Sequence, residues 1–236
     1  MKRFYKNVTL QAVGKHNDTE YALKLDDKPI KTPMKNDFII PNKKLADMIF
    51  AEWNNVTDDI VPDMMPMTGY MNSVIDNIAH KRPDMNAMIA AYIENDGLCY
   101  LANRESDAEL YAQQMEQHMA VIDDFNEIYD LDIVITDNIM PIKQSSQVIH
   151  FAKDYVSALD DMAFAFFYQI VTLTGSFILG VAIMDNRLHK DIAWNLSRDE
   201  ENMNIKRWGE DSLQTEKRAF ADKQWHNAFV YLSALS

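Results

Sequence analysis

The stretch MAFAFFYQIVTLTGSFILGVAIM, Met162 to Met184, carries no charged side chain, and its reading decides the fold. By length and apolarity it meets the criterion for a membrane span. Three features argue for a globular interior instead. Asp160, Asp161 and Asp185 flank it on both sides, with Arg187 and Lys190 just beyond. Gln169, Thr172, Thr174 and Ser176 lie within it, and Thr174-Gly175-Ser176 suits a break or a close helix contact. No second such stretch occurs in the chain. The expectation is a buried core helix, or a pair broken near Gly175, and no membrane span. A membrane-anchored protein is the alternative that hydropathy alone leaves open.

Outward from this stretch, helical periodicity predicts helices at about 69–80, 84–102, 106–130, 146–159, 161–184, 189–207 and 210–234. Ile133-Val134-Ile135-Thr136 is β-branched and reads as a short strand or an extended link. Residues 1–42 have a different character. Phe4–Leu10, Tyr21–Leu25, Ile30–Thr32 and Phe38–Ile40 are short β-favouring runs divided by turn chemistry at Gly14–Asp18, Asp26–Pro29 and Pro33–Asp37. Asn42 is placed to cap a helix whose apolar stripe is Leu45, Ala46, Ile49, Phe50 and Trp53. The class predicted is α+β: a small antiparallel β-rich N-terminal domain with one helix over 1–62, then a larger multihelical C-terminal domain over 63–236. The boundary falls in the proline loop 61–68, where the composition changes.

The chain of 236 residues has 36 acidic against 23 basic side chains, a formal charge of −13. That balance argues against nucleic acid and anionic lipid as partners, because both begin with a positive footprint. It suits a solvated acidic surface and encounter with a basic partner. Cys99 is the only cysteine, so disulfide scaffolds and thiolate zinc sites are excluded. The 15 methionines suit irregular cores and adaptable contact surfaces. Met1–Lys6 is basic, but no apolar signal segment follows and no Arg-rich transit peptide is visible. Bacterial cytoplasm is the expected compartment, or the mitochondrial matrix after removal of a transit peptide.

A search for chemistry returns little. His16, His80, His118, His150, His189 and His226 offer no helical ligand pair, and no metal site is expected. Asp123-Asp124 and Asp160-Asp161 read as solvated helix ends. A serine elbow and a phosphate-cradling glycine loop are both missing, and apolar surroundings make Cys99 inert. No cofactor is expected. Asp199-Glu200-Glu201 precedes Met203, Ile205 and Trp208-Gly209-Glu210-Asp211. Gly209 suits a left-handed cap, and Asp211 or Ser212 can start the next helix. From the residues alone this is a helix corner stapled by Trp208; the functional alternative presents Glu200 or Glu201 to a basic partner.

An ordered series of motifs carries a resemblance. It comprises Lys2–Lys6, Leu25–Pro33, Ile40-Pro41 before Leu45-Ala46, Ala51-Glu52-Trp53, Met65–Thr68, Asp76 and Tyr92. It continues through Asp96–Tyr100 and Leu173–Ser176 to Glu201 with Trp208-Gly209-Glu210-Asp211. Together these resemble the ATP-twelve family, assembly chaperones of the F-type ATP synthase in mitochondria and α-proteobacteria. The chain departs from the family's pattern at Gly97, at His118 and at Asn204. The resemblance implies a β-rich domain joined to a helical one and a monomer without catalysis. The implied partner is the unassembled α subunit of the F-one catalytic sector, shielded until the β subunit replaces the chaperone. Glu201, with Glu200 beside it, matches a glutamate important in that family. Trp208 and the proline-loop methionines Met65 and Met67, with Met64, are the accompanying candidates for partner binding. An alternative from another class is a small acidic hydrolase whose carboxylate pair assembles only in the fold.

Overall fold

Val8–Ala12 (β1) pairs antiparallel with Tyr21–Leu25 (β2), Val8 opposite Leu25 and Ala12 opposite Tyr21. The other edge of β2 takes two short antiparallel partners, Lys28–Pro29 (β3) and Ile39–Ile40 (β4). Asp26 and Asp27, with φ of 47° and 68°, form the tight β2–β3 turn, whose twist suits a two-residue hairpin. The computed structural model describes residues 1–13 and 20–235. The turn expected at Gly14–Asp18 lies outside the described residues. Phe4–Asn7 is not strand, because its donors go elsewhere: the Lys6 and Asn7 N–H groups donate to the Asp26 carboxylate at 2.9–3.1 Å. Ile30–Thr32 is likewise only a bridge, Lys31 to Asp37. Thr32 turns away to donate to the buried Asp76 at 2.6 Å.

Lys43–Asn54 (α1) is capped by Asn42, whose side chain accepts the Leu45 N–H at 2.9 Å. Its buried face, Leu45, Ala46 and Ile49, packs on the sheet. Pro66–Ser73 (α2) follows, then a wide turn at Val74–Ile78 that carries Asp76. With Asp161–Phe166 and His226–Ser236, Met1–Arg82 makes one compact unit. Pro83–Asp160 with Phe167–Trp225 makes the second.

The remaining helices are Ala79–Ala90 (α3), Ala108–Tyr129 (α4), Ser146–Ala158 (α5), Asp161–Thr174 (α6), Phe177–Met184 (α7), Lys190–Leu196 (α8), Asp199–Trp208 (α9) and Ser212–Ser233 (α10). The architecture is α+β. Two predicted helices are shorter than periodicity suggested. The helix expected over 84–102 ends at Ala90 and gives way to short turns, because the Asp96 side chain caps Leu98 at 3.0 Å and restarts the chain there. The helix expected over 189–207 is two, α8 and α9, with Arg198 at φ −130° between them. Ile133–Thr136 is an extended link that touches Tyr100 through a single parallel bridge at Thr136.

The apolar stretch resolves into α6 and α7, broken at Gly175, whose φ of +69° favours glycine. Among the described residues no helix is long and apolar enough to cross a membrane. In the second unit Phe167, Ile170, Val171, Phe177, Ile178 and Leu179 are fully buried. A Cβ at Gly180 would lie 2.8 Å from Val171 Cγ2 and 2.9 Å from Phe167 Cε2, so α7 approaches α6 as closely as a glycine allows. Gly180→Ala should therefore destabilise the protein by about 1–3 kcal/mol through overpacking. In a helix free of such a neighbour the same change stabilises by roughly 0.5–1 kcal/mol. A denaturant midpoint that stays put or rises would refute the close approach.

Candidate functional site

In the second unit a cavity of about 380 Å³ brings together stretches far apart in sequence. Gly97, Leu98 and Tyr100 line it from one stretch, Thr174 and Ser176 from a second, and Arg198 to Glu201 from a third. The Gly97 N–H donates to the Gly175 carbonyl at 3.0 Å, joining the first two stretches directly. Asp96 lies beneath them, fully buried. It accepts from Leu98 N–H at 3.0 Å and Ile178 N–H at 2.9 Å, and from the Ser176 hydroxyl and Phe177 N–H. Burial pushes its pKa up to about 6, and the four donors oppose that rise. All three departures from the family pattern, Gly97, His118 and Asn204, line this same cavity.

The acidic turn in this lining is anchored by a buried contact. Asp199, the first residue of α9, is buried, and its Oδ2 lies 2.8 Å from His118 Nε2 on α4. His118 Nδ1 lies 3.2 Å from the Leu98 carbonyl. Each ring nitrogen thus lies within hydrogen-bond distance of an oxygen on a different element. Ser176 is equally committed, its Oγ accepting Leu179 N–H at 3.0 Å. The arrangement positions a helix end.

Above this anchor, Glu201 is half-buried and pairs with Arg198 at 3.4 Å, while the Arg198 guanidinium stacks 4.2 Å from the Trp194 ring centroid. Glu200, also in the lining, is exposed. The acids also sit in the first turn of α9, where its dipole favours negative charge. At the other end of α9, Arg207 donates to both Asp107 carboxylate oxygens, at 2.5 and 2.8 Å, and to Glu109 at 3.1 Å. The Arg207 guanidinium and the Leu110 N–H pull the Asp107 pKa down to about 2.

Trp208 does not staple the corner as the residues suggested: it is 84% exposed. Gly209 has positive φ (84°) but ψ of 176°, so the chain leaves α9 extended rather than in a left-handed cap. Asp211 starts α10 as expected, accepting Leu213 N–H at 2.9 Å. Leu213 and Phe220, 59% and 60% exposed, lie seven positions apart on one face of α10. These two were missed from sequence; a pair of large apolar residues at helical spacing in an otherwise polar segment was the available signal. Arg207 and Arg198 gave none, since their roles depend on partners brought in by the fold.

The remaining candidates are in the first unit. Met65 and Met67 are buried at the start of α2, 5% and 2% exposed. Met64, just before them in sequence, is the exposed one. Elsewhere Asp124, inside α4 rather than at a helix end, pairs with Arg187, and Asp161, the first residue of α6, pairs with Arg82 at 2.5 Å, so these two acids are tied rather than simply solvated. Burial and the charge of Asp96 raise the Cys99 thiol pKa. Among the described residues no cluster of His, Cys, Asp and Glu could hold a metal ion.

The family model described as ATP12 chaperone protein matches residues 2–126. Protein ATP12, mitochondrial, of Saccharomyces cerevisiae is 26% identical over 225 residues, covering 81% of this chain and 67% of that protein. The crystal structure of Atp12 from Paracoccus denitrificans superposes with a TM-score of 0.85 at 29% identity, covering 99% of this chain and 96% of that one. The crystal structure of an Agrobacterium tumefaciens candidate chaperone gives 0.87 at 30% identity, covering 100% and 86%.

Arg207→Ala should free the end of α9, raising amide hydrogen exchange over residues 203–208. Wild type should keep its protection from neutral pH down to about 4. The Asp107 pKa is depressed from 3.8 to about 2, so its contribution is present above the higher value and lost as pH falls through the lower. Equal exchange in variant and wild type at pH 7 would count against the tether.

Proposed function

The chain belongs to the ATP12 chaperone protein family, and from that premise we propose that it captures the unassembled α subunit of the F-type ATP synthase catalytic sector and releases it to the β subunit. It is a chaperone rather than an enzyme, which sets the hydrolase alternative aside. The observation that carries the reading is the corner of the second unit. There carboxylates fixed at the start of α9 accompany an indole left in solvent at its end.

Division of labour follows from magnitudes. Exposed ion pairs contribute about 0–1 kcal/mol each, so Glu200 and Glu201 select orientation more than they supply affinity. Trp208, with Leu213 and Phe220, offers the apolar area from which binding energy comes, and large aromatics dominate such contacts. A surface with few anchors and fixed acids is suited to a client that must later be displaced. The chaperone acts as a monomer. Bacterial cytoplasm, where such a client is made, is the compartment we assign; the yeast relative is mitochondrial by name.

Two variants test the site. Glu201→Lys should keep the wild-type thermal midpoint and capture newly made α subunit at least about tenfold less well. Because that change also breaks the Arg198 pair, Trp208→Ala provides a second variant in which no buried contact is lost. Its capture should fall by a similar factor. If both variants retain α as wild type does, the site assignment is wrong. Wild-type protein that recovers neither α nor β from a pull-down would remove the reading itself.

A further inference from the structure

The cavity of the second unit is lined by polar groups that the fold itself does not use. Its hydroxyls are spent: those of Tyr100, Thr174, Ser176 and Ser197 donate to Asn95 Oδ1, the Ile170 carbonyl, Asp96 and the Trp194 carbonyl. Gln114 on α4 is different. It lines the cavity and is only 4% exposed. Its Oε1 accepts the Ala102 N–H at 2.6 Å, which fixes the way round of the amide, because the nitrogen cannot accept that proton. No described residue accepts from its Nε2. Buried amide groups in folded proteins nearly always have partners, so two unspent N–H donors in a cavity mark a place for an acceptor. Arg198, in the same lining, is short of partners too. Only its Nη1 has an acceptor, Glu201 at 3.4 Å, and its Nε is buried without one.

Charge narrows the occupant. In the lining Asp199 is paired with His118 and Glu201 with Arg198, while Glu200 has no cation partner among the described residues. An anion there would meet unbalanced negative charge. A cation would leave the Gln114 N–H donors facing a group with no lone pair. A primary carboxamide meets both conditions. Its oxygen can accept from Gln114 Nε2, its NH₂ can donate to Glu200 or to the side-chain oxygen of Asn204, and it carries no charge. The volume of about 380 Å³ lies near the lower end of the roughly 300–1,000 Å³ typical of ligand pockets, which suits a small polar group. We propose that this cavity is a binding site for a carboxamide, carried either by an Asn or Gln side chain of the client or by a free small amide. The proposal adds a ligand chemistry to the second unit and does not require the chaperone reading above.

The test titrates the full ¹⁵N-labelled chain with the N-acetyl methylamides of Gln, Glu, Met and Lys, read by NMR at the side-chain amides. These probes share one backbone and differ in the side chain. The Gln probe should shift the Gln114 amide cross-peaks, give a nuclear Overhauser effect between its own amide protons and those of Gln114, and bind at least about fivefold more tightly than the other three. Gln114→Met should abolish that preference. Since that change also removes the acceptor of Ala102 N–H, the wild-type shifts and Overhauser contacts decide the matter if the variant does not fold. Equal affinity for all four probes, tightest binding of the Glu or Lys probe, or Gln114 cross-peaks that stay put would overturn the proposal. Capture of F-one α subunit then separates the two sources. Saturating Gln probe should lower capture if the client supplies the carboxamide, and unchanged capture assigns the site to a free amide. Wild-type protein that captures no α subunit would sink the chaperone reading, with the carboxamide site still decided by the four probes.

Discussion

The second unit depends on one buried carboxylate. Asp96 accepts four donors, three of them backbone N–H groups, drawn from the turn after α3 and from the first residues of α7. An unsatisfied buried charge would cost several kcal/mol, and a broken helix leaves N–H groups that need acceptors. Each problem answers the other. The break between α6 and α7 is tolerated in the most apolar part of the chain because Asp96 fills it. The same contact brings Gly97 against Gly175 and so forms the wall of the cavity.

The acidic turn inherits its position from that wall. Leu98, capped by Asp96, presents its carbonyl to His118, and His118 holds Asp199 at the head of α9. The next two residues are Glu200 and Glu201. Their placement is therefore decided by buried polar contacts, which are costly to break, rather than by the weak pairs available at a surface. A carboxylate whose backbone is held this way loses little conformational freedom in any contact it makes. Arg207, tied to Asp107 and Glu109, does the same for the far end of the helix and leaves Trp208 projecting.

The first unit is arranged on a related plan. Glu52 braces α2 as Asp96 braces α7, and in both cases an acid from one element satisfies the open N-terminus of another. Asp76 closes the loop after β3 by accepting from Thr32, Met34 and Asn36. Acidic residues are thus spent partly inside the protein, which a net charge alone does not reveal.

The sequence by itself determined the class of structure. Alternation and turn chemistry in 1–42 marked the strands, 3.6-residue periodicity marked the helices, and Asn42, Gly175 and Asp211 marked where helices start or stop. These signals are local: each depends on neighbours within one or two turns of chain. The ordered motifs also identified the family and pointed to Glu200, Glu201 and Trp208. What the tertiary structure alone decided was which polar residues meet. Asp96 with Ile178, His118 with Asp199, Glu52 with Thr68 and Arg207 with Asp107 are pairs whose members lie in different elements. Hydrogen bonds and ion pairs have short range and strict geometry, so no pattern within a segment encodes its distant partner. For the same reason the sequence could not say that Met65 and Met67 turn inward while Met64 and Trp208 face solvent.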